Sequence, residues 1–232
     1  MCGRFAASTS AEDLVRLFEI DDVDVELPGP AYNIAPTDPI TVVLERRKDD
    51  ELRRRLTAVR WGLVPSWSRD ARGAARLINA RVETVAEKPS FRRALAARRC
   101  LIPADGYFEW RAETAADGKK IKQPYFLRPG DGSVLTMAGL YEFWKDPAGR
   151  WLVTAAIITT RAVDVAGQVH DRMPMTVGAG QWDAWLAPQV GAEAIDLLIE
   201  PANRLSVHAV SMAVNNVDND GPELLTELRS GE

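Results

Sequence analysis

The chemistry with most reach in this chain starts at Met1 and Cys2. A small second residue permits removal of the initiator methionine, which would leave Cys2 with a free α-amine and a thiol on adjacent carbons. An α-amine has a pKa near ~8 against ~10.4 for lysine, so far more of it is neutral and nucleophilic at neutral pH. Such an amine can attack an aldehyde, after which the thiol can add to the imine carbon and close a five-membered thiazolidine. Alternatively, an N-terminal thiolate acts alone as the nucleophile. Taken by itself, a cysteine at position 2 also fits an incidental residue.

Two further groups could move protons. In Gly106-Tyr107-Phe108-Glu109-Trp110 a carboxylate stands among aromatics, where it should resist ionisation unless paired; the alternative is a surface glutamate at a strand edge. His170, in His170-Asp171-Arg172-Met173-Pro174, sits in a polar loop suited to proton transfer, whereas His208 lies in a strand-like stretch and reads as structural. There is no Gly-rich phosphate loop with its lysine, no Gly-x-Ser-x-Gly elbow and no Cys/His spacing for zinc. No metal or cofactor is expected.

The elements that must position these groups follow from the pattern. Ser10 caps a short helix with Leu14, Leu17 and Phe18 on one face. An acidic stretch over 19–26 leads to Pro28-Gly29-Pro30 and then to Tyr32-Asn33-Ile34-Ala35-Pro36-Thr37, a loop shaped by its prolines. Strands are expected over 40–46 and 52–62 around a turn at 48–51, followed by an irregular Gly-, Pro- and Trp-rich segment over 61–67. There Trp61 reads as core filling, while Trp67 fits either the core or a platform on which a base stacks. Pro89 introduces a basic helix over 90–99, and a strand begins at Cys100. Strands over 123–128, 133–141 and 151–159 read as an antiparallel meander, with short helices over 182–186 and 192–198 and a polar closing loop over 214–223.

At 232 residues without repeat or linker, one domain spanning 1–232 is expected, with a core that needs no disulfide or metal staple. Two cysteines and no charged-then-apolar leader point to a reducing cytoplasm, and the longest apolar runs are too short to span a bilayer. Nothing suggests a dedicated dimer interface, so a monomer is expected. The net charge of −4 argues against a polyanion partner, yet residues 46–99 hold sixteen Lys/Arg against six Asp/Glu. Those basic residues either form a face for a polyanion or decorate solvated strands and a helix.

Seven blocks in order resemble the SOS-response-associated peptidase family. They are Met1-Cys2-Gly3-Arg4-Phe5, Tyr32-Asn33-Ile34-Ala35-Pro36-Thr37, Trp61-Gly62-Leu63-Val64-Pro65-Ser66-Trp67, Asn79-Ala80-Arg81-Val82-Glu83-Thr84, Gly106-Tyr107-Phe108-Glu109-Trp110, His170-Asp171-Arg172-Met173-Pro174 and Val214-Asn215-Asn216-Val217. The resemblance implies a single α+β domain, a curved, barrel-like and mainly antiparallel sheet with short peripheral helices and a groove for single-stranded DNA. It implies abasic-site processing, in which the mature N-terminal Cys2 forms a thiazolidine crosslink with the ring-opened sugar through lyase-like Schiff-base chemistry. By the same resemblance Asn79 holds Cys2 and the sugar, Glu109 moves protons, and His170 assists ring opening and crosslink reversal. Arg4 and Arg81 would clamp phosphates, and Pro36, Trp67 and Thr159 would line the groove. The family name also records self-processing that removes Met1. Two other readings stand beside this one: an N-terminal-nucleophile amidohydrolase, and a simple single-stranded DNA binder with Cys2 as a passenger.

Overall fold

The computed structural model describes residues 2–49, 51–114, 118–197 and 204–228. Met1, Asp50 of the expected turn and the last residue of the expected 192–198 helix lie outside the described residues. The first half of the chain contributes strands β1 (Phe5–Ala7), β2 (Asp22–Val23), β3 (Ala31–Ile34), β4 (Pro39–Lys48), β5 (Glu51–Trp61) and β6 (Asn79–Arg81). Helices α1 (Ala11–Phe18) and α2 (Arg92–Ala97) are set among them. The second half runs β7 (Arg99–Ala104), β8 (Gly106–Thr114), β9 (Lys120–Pro129), β10 (Leu135–Lys145), β11 (Trp151–Arg161), α3 (Asp164–Gly167), β12 (Arg172–Pro174), α4 (Trp182–Leu186) and β13 (Leu205–Ala209). This is an α+β fold, as expected.

Five strands close on themselves. Order β11-β10-β7-β4-β5 is antiparallel throughout, and a parallel pairing of β11 with β5, Thr154↔Arg60 and Ala155↔Trp61, completes the barrel. Alternate residues of these strands feed two cores, because successive side chains on a strand point to opposite faces. Ile40, Val42, Leu44, Ile102, Met137, Ala155 and Ile157 join one core with Phe5, Tyr107 and Leu127 of the second sheet. Val43, Leu56, Leu101, Leu140, Ala156 and Ile158 join the other, which α1, α2 and α4 cover with Leu14, Phe18, Leu95 and Trp185. The second sheet, β13-β9-β8-β1-β3, is antiparallel.

Of the meander expected from the three strands after residue 120, the β10–β11 hairpin is formed, but β9 does not join it. β10 is buried at nearly every position and so takes a central place between β7 and β11, while β9 carries exposed lysines at its start and pairs with β8 in the other sheet. The basic helix is shorter than expected, starting at Arg92, because Phe91 is pinned in the core behind a turn at Lys88. In α1, Ser10 caps as expected, but Leu17 is exposed and only Leu14 and Phe18 face inward. Gly62, with φ +117°, ends β5 where a Cβ would lie 2.7 Å from the Ala74 carbonyl oxygen, so only glycine lets the chain leave the barrel there. No helix among the described residues is long and apolar enough to cross a membrane.

Candidate active site

Cys2 lies at the seam between the barrel and the second sheet. β1 pairs with β8 at Phe5↔Tyr107 and Ala6↔Gly106, and Phe108 N donates to Arg4 O at 2.9 Å. Carried back along this antiparallel register, the N-terminal residues run beside Glu109. From the other side, Asn79 Nδ2 donates to Cys2 O at 2.7 Å. Asn79 is placed by β6, which pairs in parallel with β11 at Asn79↔Ile157. The N-terminus is thus tied to both sheets at once.

Cys2 is fully buried, and its thiol is pushed up, first by burial and then by the negative charge of Glu109. At neutral pH the sulfur therefore carries its proton, which argues against a thiolate acting alone. Glu109 is only 3% exposed, inside β8 rather than at a surface edge. Tyr107, two residues earlier and on the same face of the strand, is buried beside Cys2 and Phe5. Burial, then the charges of Cys2 and Glu109, raise its phenol well above the ordinary value.

His170 reaches the site from the turn between α3 and β12. Arg172 N donates to its Nδ1 at 3.0 Å, and Asp171 Oδ1 lies 2.9 Å from the same nitrogen. Nδ1 accepts the first contact when it carries no proton and donates to the second when it does, so the two contacts belong to different protonation states of that nitrogen. Glu109 and His170 line one open cleft of about 840 Å³ with Trp110, Lys122, Met212 and Asn215. Its far wall is the closing segment after β13, where Trp110 Nε1 donates to Asn215 Oδ1 at 2.7 Å. That segment is held by buried Asn33, whose Nδ2 donates to the carbonyls of Val214, Asn216 and Asn219 at 3.3, 3.0 and 2.7 Å. Arg4 Nη1 joins the same knot, donating to Asn33 Oδ1 at 2.7 Å and Val214 O at 2.8 Å. Among the described residues no group of three or more His, Cys, Asp or Glu side chains converges to hold a metal ion.

The residues expected to meet DNA are dispersed. Arg81 is exposed on β6, and Trp67 is 64% exposed in the loop after Gly62, so of its two readings the core is excluded; Trp61 is fully buried, as expected. Pro36 is half-buried in a tight turn whose next residue, Thr37, holds φ at +82° and donates its N–H to Trp61 O at 2.9 Å. A β-branched residue at that φ is strained, and the turn holds it. Thr159 is fully buried: its carbonyl and its Oγ1 accept from Arg172 Nη2 at 2.6 and 3.4 Å, so its side chain packs against Arg172. The basic excess over 46–99 is not one open face either. β2 lies parallel to β5, so the acidic stretch pairs with it: Arg53 with Asp22 at 2.8 Å, and Arg55 with Asp24. Arg54 bonds Glu45 and Asp183, and Arg98 bonds Glu142.

The sequence matches the SOS response associated peptidase (SRAP) family over residues 1–217. The chain belongs to this family. It is 36% identical over 232 residues to the abasic site processing protein YoqW of Bacillus subtilis, covering 97% of this chain and 99% of that one. It is 35% identical to the abasic site processing protein YedK of Escherichia coli, with 97% and 99% covered, and 31% identical to HMCES of Mus musculus, with 97% and 75% covered. A crystal structure of a Bacteroides thetaiotaomicron protein superposes with a TM-score of 0.81 at 26% identity, covering 98% of this chain and all of that one.

Of the SRAP residues named from sequence, Cys2, Asn79, Glu109 and His170 fall at one site, while the described contacts do not join Trp67 or Pro36 to it. Sequence reasoning missed Tyr107, Trp110, Lys122, Met212 and Asn215 as site residues. Tyr107, Trp110 and Asn215 sit inside recognised blocks and could have been found there. Lys122 and Met212 carried no signal, since only β8–β9 pairing and the path after β13 bring them to the cleft.

Proposed function

We propose that this SRAP protein captures abasic sites in single-stranded DNA by a covalent bond through Cys2 once Met1 has been removed, by self-cleavage or by an aminopeptidase. The observation that carries the reading is a buried Cys2 with its carbonyl fixed by Asn79 and a buried carboxyl beside it, next to an open cleft. The names of the relatives supply the substrate class. The ring-opened abasic sugar presents an aldehyde. The Cys2 amine adds to it, and the carbinolamine loses water with a proton supplied by Glu109. The thiol then adds to the imine carbon, its proton passing to the ring nitrogen, and a thiazolidine closes. Amine-first order fits the protonated sulfur, because a neutral amine is the stronger nucleophile in a site that resists thiolate charge. His170, across the cleft, assists opening of the sugar and reversal of the adduct.

Arg81 and Trp67 supply a phosphate contact and a stacking surface for the flanking strand, and Arg4, tied to Asn33, orients the wall of the cleft as well as facing the DNA backbone. The test is a denaturing gel of the Met1-free protein with a single-stranded oligonucleotide carrying one abasic site, beside an intact control strand. A shifted band with the abasic strand alone, absent in Cys2→Ala, is expected. No shifted band from protein whose Met1 loss is confirmed by mass overturns the proposal.

A further inference from the structure

Buried polar groups nearly always have a hydrogen-bond partner, because an unsatisfied one costs about 1–3 kcal/mol. At this site the Tyr107 hydroxyl and Asn79 Oδ1 lack a partner among the described residues. Both stand close to Cys2: Asn79 holds its carbonyl through Nδ2, and Tyr107, in the same buried cluster, is near enough for the Cys2 sulfur to oppose its ionisation. Tyr107 is 1% exposed, so bulk water does not satisfy its hydroxyl. Its position is set twice, by its pairing with Phe5 across the β1–β8 ladder and by sharing a strand face with Glu109. A tyrosine whose only task was to fill this core would do it better as phenylalanine.

The chemistry gives the hydroxyl a task. Ring closure moves charge onto sulfur in a pocket that opposes it, by burial and by the Glu109 carboxylate. A neutral donor that turns to the sulfur as charge develops there assists without adding charge, and the phenol keeps its proton because its own ionisation is opposed by the same surroundings. We propose that the Tyr107 hydroxyl donates a hydrogen bond to the Cys2 sulfur as the thiazolidine closes, and so serves the second covalent step. This rests on the capture reaction above. In that step the S–H bond breaks, the sulfur's electron pair forms the bond to the imine carbon, and the imine π pair moves onto nitrogen. The thiol proton ends on that nitrogen, carried by Glu109, and nothing is oxidised or reduced.

The experiment is a rapid-quench time course of the Met1-free protein and of Tyr107→Phe with an abasic oligonucleotide. Borohydride traps the imine, and thiol alkylation under denaturing conditions counts free sulfur. Tyr107→Phe is expected to form the imine at the wild-type rate, to close the ring about tenfold more slowly, and to accumulate trappable imine with a free Cys2 thiol. It is also expected to melt at the wild-type temperature or above, since it removes an unsatisfied hydroxyl. Closure at the wild-type rate, equal slowing of both steps, or a melting point several degrees lower overturns the role. If the wild-type protein forms no adduct, the capture reaction itself fails; if it does and Tyr107→Phe matches it, only the role of Tyr107 fails.

Discussion

Replacing Glu109 by Gln separates two things the carboxyl does at once. It keeps the shape of a side chain that is 3% exposed while removing both the transferable proton and the negative charge. General acid–base catalysis contributes roughly 10²–10⁴-fold, and water has little access to substitute for a group this buried, so the imine-forming step is expected to slow by about 10²-fold or more. The charge acts in the opposite sense on the sulfur. Burial is the larger cause of the raised Cys2 thiol and Glu109 the second, so the variant's thiol titrates below the wild-type one yet still above an ordinary cysteine. The assay pairs single-turnover crosslinking with a titration of the two cysteines labelled with ¹³C at the β carbon. Cys100 serves as the internal control, because its thiol is raised by burial alone. Affinity for an intact single strand is expected to stay the same. A crosslinking rate within twofold of wild type removes Glu109 from the proton transfers; a Cys2 midpoint that does not move shows that its charge is not felt at the sulfur.

Arg99 is buried, and its guanidinium donates to the carbonyls of Trp185, Leu95, Gly191 and Ala187 at 2.5–2.7 Å. Arg99→Met strands four acceptors and is expected to cost about 3–5 kcal/mol in urea unfolding; a loss under 1 kcal/mol would contradict the picture of a locked knot. Trp67→Ala removes a side chain that is 64% exposed, so the melting temperature should hold while single-stranded DNA binding weakens by about 1–3 kcal/mol, and unchanged binding would take Trp67 out of the groove. The buried thiols also make stability fall at high pH. The unfolded state loses each thiol proton near its ordinary pKa of ~8.5 while the folded state keeps it, so stability is full below that pH and declines by about 1.4 kcal/mol per pH unit for each thiol above it. Cys100→Ala should remove one thiol's share of that slope, and an unchanged slope would show that Cys100 ionises in the fold.

Much of the site was legible because its chemistry is local to short blocks: Cys2 behind Met1, a carboxylate inside an aromatic run, and a histidine in a charged loop. The hairpin of β4 and β5 was legible because alternation and turn chemistry are local too. What could not be read is what depends on partners far along the chain. β10 and β9 look alike as strands, but burial on both faces sends one to the barrel and the other to the second sheet. Thr159 carries a residue type that suits a groove, yet pairing with both β6 and β12 buries it. The basic segment left a polyanion face and solvated strands both open, and β2 lays acidic residues along β5 there, a parallel contact that no local pattern announces.

The most direct test of covalent capture is a tryptic map of the crosslinked Met1-free protein, alkylated under denaturing conditions before digestion. The account predicts the sugar remnant on the peptide Cys2-Gly3-Arg4, with one water lost on addition and the Cys2 thiol closed to alkylation, while Cys100 is alkylated. A remnant on Lys122 in the cleft, or a Cys2 that still takes the alkyl group, would contradict it.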